Sequence, residues 1–131
     1  MPKLDHIALQ VKDLDRAIDF YTGRLGFRLL SRAVNAAQQE GYCFLEAEDG
    51  TRLELIQDLA AAFTPPPPHP PYCPHVCFKS EDLGATMEMM EKAGIKVLRG
   101  PFVIENEETW VYFTDPDGNV LEFIQWFKIN G

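Results

Sequence analysis

His6-Ile7-Ala8-Leu9-Gln10-Val11-Lys12-Asp13-Leu14 and His75-Val76-Cys77-Phe78-Lys79-Ser80-Glu81-Asp82-Leu83 follow the same plan, 69 residues apart. In each, a histidine opens an alternating apolar segment and an Asp-Leu pair closes it. Further out, Gly26-Phe27-Arg28-Leu29-Leu30 lies over Gly94-Ile95-Lys96-Val97-Leu98, and the offset has become 68. It stays at 68 as residues 42–50 fall on 110–118 and residues 51–57 on 119–125. One residue therefore drops out of the second copy near the end of a helix. Self-similarity of this kind marks a fold built from one supersecondary unit used more than once.

Each copy can be read element by element. Residues 6–11 alternate and predict a strand. Asp13 caps the helix that follows. Leu14, Ala17, Ile18, Tyr21 and Leu25 fall on one helical stripe, and Gly26 ends it. Residues 27–34, 42–48 and 52–57 read as three further strands, with Asp49-Gly50 turning the last hairpin. In the second copy Leu83, Met87 and Met90 line the helix, Gly94 stops it and Asp117-Gly118 makes the hairpin. The methionines 87, 89 and 90 read as helix packing. The order βαβββ, twice, predicts an α+β fold. We assign residues 4–58 to module 1 and 75–127 to module 2, within one domain spanning 1–131. Residues 59–74 form a linker whose core, 64–72, carries six prolines and His69. Such a run favours extended polyproline II and cannot join a ladder.

Composition narrows the function classes. A net charge of -8 would repel a phosphate backbone, which argues against a nucleic-acid partner. No apolar run approaches the roughly 20 residues of a membrane span. The first residues lack the apolar core of a secretory signal. The three cysteines, Cys43, Cys73 and Cys77, suit reduced thiols, so a cytoplasmic location is expected.

The repeat also groups the candidate site. His6 pairs with His75, and Glu54 pairs with Glu122. Each histidine opens the first strand of its copy and each glutamate sits on the last. A lone histidine or glutamate in these places is more often an ordinary edge or surface residue. Recurrence of both types at matched positions is what singles them out. Two imidazoles and two carboxylates suit one divalent ion (Ni, Zn, Co, Mn or Fe) with open positions for substrate. By strand alternation Gln10 is in phase with His6, and Cys77 and Lys79 with His75. Gln10, Lys79 and Trp110 are candidate substrate contacts. Tyr112 and Trp126 suit an apolar pocket. Cys73 and Cys77 lack a second ligand pair at zinc-finger spacing, and Cys77 reads as a small buried residue.

The chain resembles the vicinal oxygen chelate superfamily, which includes glyoxalase I, bleomycin resistance proteins and extradiol dioxygenases. The residues that carry the resemblance are Leu4-Asp5-His6-Ile7-Ala8, residues 17–21 with Leu25-Gly26-Phe27, His75-Val76, and residues 113–119 ending in Leu121-Glu122-Phe123. The resemblance implies an eight-stranded, cupped, incomplete barrel around one metal, which substrates chelate through neighbouring oxygens. It implies the ligands His6, Glu54, His75 and Glu122, as in glyoxalase I. Glutamate at position 54 tilts the choice toward that member.

The implied activity is that of a metal-dependent lyase or isomerase, similar to lactoylglutathione lyase. A proton would move through a metal-chelated enediolate on a small α-oxygenated carbonyl substrate, with Glu122 as first base and Glu54 as second. Gln10 stands where glyoxalase I has an arginine for glutathione, and Asp58 where it has an asparagine. Residues 103–108 form an acidic loop. These departures point away from glutathione itself. The alternatives are an epimerase like methylmalonyl-CoA epimerase, an Fe(II) extradiol-type dioxygenase using His6, His75 and Glu122, and a non-catalytic drug-binding resistance protein. A homodimer is expected, with modules paired between chains.

Overall fold

The computed structural model describes residues 1–127, so the last four positions of the expected 1–131 domain lie outside the described residues. The chain divides into two compact units, Met1–Pro65 and Pro66–Gly131. Each is one open, four-stranded sheet with a single helical segment, in the order βαβββ. Among the described residues no helix is long and apolar enough to cross a membrane.

Unit 1 contains β1 (Ile7–Gln10), α1 (Leu14–Asp19) running into a π-turn (Phe20–Arg24), β2 (Arg28–Asn35), β3 (Glu40–Glu46) and β4 (Arg52–Asp58). The spatial order is β1-β4-β3-β2, with β1 parallel to β4 and the rest antiparallel. Strand β3 starts two residues earlier than the apolar pattern predicts. The backbone ladder pairs Glu40 with both Asn35 and Asp58, and ladder bonds need no apolar side chain. Alternation sorts the faces. Cys43, Leu45, Leu53 and Leu55 are fully buried together with Ala17 and Tyr21 of the helical segment. Phe44 and Glu54, paired across β3 and β4, lie on the opposite face.

Unit 2 repeats the plan with β5 (Val76–Lys79), α2 (Leu83–Lys92), β6 (Val97–Ile104), β7 (Glu108–Thr114) and β8 (Val120–Trp126), in the order β5-β8-β7-β6. Leu83, Met90, Val111, Phe113 and Leu121 make its core, with the Phe113 and Phe123 rings stacked at 5.1 Å. Met90 is fully buried. Met89 is 37% exposed, which corrects its reading as packing, because it lies a third of a turn away from Met90. Trp126 is also exposed, at the end of β8.

The helices begin alike. Asp13 accepts from the backbone N–H of Arg16, and Asp82 from that of Ala85. The Gln57 and Gln125 side chains, equivalent in the repeat, accept from the first helical N–H groups, those of Leu14 and Leu83, at 3.0 and 2.8 Å. Each last strand thus caps its own helix.

The helix ends differ, and the difference explains the shift in offset. In unit 2 the N–H of Ile95 reaches the carbonyl of Met90 and that of Gly94 reaches Glu91, around Gly94 at φ +73°. This is a Schellman end, sealed by the buried Ile95 and Met90 side chains. Unit 1 has one more residue to place before its own positive-φ glycine, Gly26. It absorbs that residue as the π-turn, in which the N–H of Leu25 bonds to the carbonyl of Phe20.

Candidate functional site

In each unit the strand that follows the histidine lies parallel to the strand that carries the glutamate. Ala8 pairs with Glu54 and Cys77 with Glu122. The histidines stand just before β1 and β5. This register brings each imidazole to its own glutamate. His6 Nε2 lies 3.3 Å from Glu54 Oε1, and His75 Nε2 lies 2.8 Å from Glu122 Oε1. Among the described residues no group of three or more His, Cys, Asp or Glu stands gathered for a metal ion. The structure brings together one His–Glu pair within each unit.

The far side of each ring is held too. His6 Nδ1 donates to Asp5 Oδ2 at 2.7 Å. His75 Nδ1 donates to the backbone carbonyl of Tyr72 at 2.9 Å. An acceptor at Nδ1 puts the proton there and leaves the Nε2 lone pair for a metal, the usual support of a ligating histidine. Each ring also meets an aromatic edge. Phe44 lies at 5.2 Å from His6 and Tyr112 at 5.5 Å from His75, again at matched positions of the repeat.

Within each unit, an imidazole Nε2 beside a carboxylate oxygen is the kind of donor pair that suits a divalent transition ion.

The two pairs differ electrostatically. The Asp5 hydrogen bond raises His6 above an ordinary imidazole, the Glu54 charge adds to this, and partial desolvation opposes it. The same bond holds the Asp5 carboxyl below the usual range. Burial pushes the Glu122 carboxyl up, while the His75 ring and a hydrogen bond from Cys77 pull the other way. Burial also raises the neighbouring Tyr112 phenol, and the Glu122 charge adds to that.

Cys77 corrects the sequence reading, because the residue is exposed and not a small buried one. Alternation on β5 turns Val76 to the core and Cys77 to the face of Glu122. Desolvation pushes the thiol up to about 12, with the Glu122 charge adding to it. Without a bound cation the thiol is the favoured form at neutral pH. Cys73 Sγ lies 4.0 Å from His75 Nδ1.

Gln10 pairs with Ile56, two places along from Glu54, on the Glu54 face. Lys79 pairs with Ile124 and Trp110 pairs with Ile124 from the other side, both on the Glu122 face. His69 is exposed. Sequence reasoning missed Asp5, Tyr72 and Phe44. The carboxylate beside His6 was a usable signal, and so was the aromatic recurrence at positions 44 and 112. Tyr72 acts through its backbone and left no signal.

Comparison with known proteins places these features in a wider set. The family described as "Glyoxalase/Bleomycin resistance protein/Dioxygenase superfamily" matches residues 3–123. A protein of Haemophilus influenzae named lactoylglutathione lyase is 33% identical over 121 residues, covering 92% of this chain and 90% of that protein. The structure resembles a glyoxalase family protein from Bacillus cereus with TM-score 0.78 at 19% identity, covering 98% and 96% of the two chains, a likeness of fold. It also resembles the trypanothione-dependent glyoxalase I of Leishmania major with TM-score 0.74 at 25% identity, covering 95% and 87%.

Proposed function

The chain belongs to the glyoxalase/bleomycin resistance protein/dioxygenase superfamily, and from that membership we propose that it is a metal-dependent lyase or isomerase. It moves a proton at a carbon flanked by oxygens in a small α-oxygenated carbonyl compound. The observation that carries this reading is the matched pair of contacts, His6–Glu54 and His75–Glu122, each with its imidazole fixed from behind. The lactoylglutathione lyase of Haemophilus influenzae supports the reaction class.

His6, Glu54, His75 and Glu122 would hold one divalent ion, each module contributing one His–Glu pair. When bound, such an ion would supply Lewis-acid stabilisation of negative charge developing on the substrate oxygens. Glu122 takes the proton. Its buried carboxyl is pushed toward the working pH, where a general base is most effective. Glu54, its counterpart in the repeat, returns it. Gln10, Lys79 and Trp110 contact the remainder of the substrate. The working unit is a homodimer with modules paired between chains, favoured by the stiff proline run between them. Gln10 and Asp58 do not offer the cationic contact that a tripeptide carboxylate needs. A neutral thiol adduct therefore suits the site better than glutathione.

The experiment loads the protein with cobalt(II) or nickel(II) and offers methylglyoxal hemithioacetals of 2-mercaptoethanol and of glutathione in D2O. Metal-dependent conversion of the neutral adduct at least as fast as the glutathione adduct is expected. No conversion of either by the loaded protein would remove the reading.

A further inference from the structure

The face of unit 2 that carries Glu122 differs from its counterpart in unit 1, and the cause lies in β6. Both edge strands slip register once, between Leu29 and Ser31 in β2 and between Val97 and Arg99 in β6. Strand β6 slips a second time, between Arg99 and Phe102, where Gly100-Pro101 gives it an extra residue. Gly100 sits at φ +101°, and a Cβ there would stand 3.2 Å from the Phe102 ring and from the Trp110 carbonyl oxygen. A bulge of this kind re-aims the side chain that follows it. Here it sets Phe102 opposite Trp110, whereas in unit 1 the residue opposite Tyr42 is Ala33.

The result is a connected row of rings. Phe102 and Trp110 lie 5.5 Å apart at 34°, and Phe102 and Tyr112 lie 6.3 Å apart. Tyr112 reaches the Tyr72 ring at 4.9 Å and the His75 ring at 5.5 Å. Tyr112 is also the direct cross-strand partner of Glu122. All four aromatic residues are half-buried, and the row ends at the His–Glu pair. Half-buried rings inclined to one another in this way leave faces and edges against which a further planar ring can pack, offset-stacked on one and edge-on to the next.

We propose that this row is the subsite for the non-reacting part of the substrate, and that the substrate class is an α-oxygenated carbonyl compound bearing a flat aromatic group. The proposal rests on the proton-transfer reading only for where the reactive carbon sits. Trp110 and Phe102 act as specificity determinants.

The test compares benzoylformate with pyruvate, which differ by phenyl against methyl, as ligands of the cobalt(II)-loaded protein in calorimetric titration. Benzoylformate should bind about tenfold tighter. The ratio should fall to about twofold or less in Trp110→Ala and in Phe102→Ala, and stay near the wild-type value in Trp110→Phe, which keeps a ring. On metal-free protein, saturation-transfer NMR should detect benzamide and not acetamide, with loss of the benzamide signal in Trp110→Ala. On protein that carries the metal, equal affinity for both keto acids, no binding of either, or a preference that survives Trp110→Ala would overturn the proposal, as would the absence of a Trp110-dependent benzamide signal on metal-free protein. Metal content measured on the same samples separates the two readings. A chain that takes up no divalent ion but keeps a Trp110-dependent benzamide signal retains the subsite and loses the proton-transfer reading. A metal-loaded chain without the preference does the reverse.

Discussion

His75 Nε2 stands 2.8 Å from Glu122 Oε1, while the carbonyl of Tyr72 holds the other nitrogen of the same ring at 2.9 Å. The ring cannot turn without losing one of these bonds. In unit 1 the same arrangement recurs, but a carboxylate, Asp5, replaces the backbone carbonyl. The two histidines are thus held from behind by different acceptors, a carboxylate in unit 1 and a backbone carbonyl in unit 2.

Asp5→Asn should expose that difference. The carboxylate raises the His6 proton affinity and makes Nε2 a better donor. Its loss should weaken metal binding above pH 8 by about tenfold, the lower end of the effect expected for a ligand's hydrogen-bond partner. Because His6 then gives up its proton more readily, the pH at which binding is half lost should move down. Metal titrations from pH 5 to 9 check both. An upward shift of the midpoint would contradict the account.

Glu122 gives a stability prediction whose sign is fixed. Its folded value is raised, so the folded chain holds that proton more tightly than the unfolded chain does. The contribution is favourable below the unfolded value of 4.5 and is lost as pH rises through the folded one. Thermal unfolding of metal-free protein, followed in small pH steps upward from 4.5, should show a loss of Tm that Glu122→Gln reduces. His6 acts in the same direction at higher pH, where its raised value also means stability lost on deprotonation. Identical slopes for wild type and Glu122→Gln would show that burial of this carboxyl has no such effect.

The two glutamine caps should behave independently. Gln57→Ala and Gln125→Ala each leave a first-turn N–H without its acceptor, at a cost of about 1 kcal/mol. The residues lie in different units and share no partner, so the double variant should lose the sum. Urea denaturation of the three variants measures this.

Much of this was legible because the repeat is legible. Matched offsets gave the βαβββ order and the helix stops at Gly26 and Gly94. They also matched His6 with His75 and Glu54 with Glu122, and the structure brings together one histidine and one glutamate within each unit. The π-turn at Phe20–Arg24 was not, because sequence shows that a residue is extra but not which hydrogen-bond pattern absorbs it. Cys77 was misread because cysteine type suggests burial, whereas its strand phase placed it with His75. The Tyr72 contact is made by backbone, which any residue supplies. The second bulge in β6 left only Gly100-Pro101 as a trace, and which side chain it re-aims depends on pairing with β7.

The proposed pairing of modules between chains predicts complementation. His6→Ala and His75→Ala should each bind metal poorly alone. Refolded together from denaturant, they should form mixed dimers with one intact site, and metal binding should rise toward a quarter of the wild-type level, as random pairing of two chains gives. No recovery in the mixture would place each site within one chain.

The most direct test of the central claim is the metal affinity of wild type against His6→Ala, Glu54→Ala, His75→Ala and Glu122→Ala, with Cys73→Ala and Cys77→Ala alongside. The account predicts one divalent ion per chain in the wild type. Each of the four variants should lose at least about a hundredfold in affinity while the cysteine variants keep it. Wild-type affinity in His6→Ala or Glu54→Ala would contradict a site drawn from both modules, and loss in the cysteine variants alone would mean that a thiolate site had been mistaken for this one.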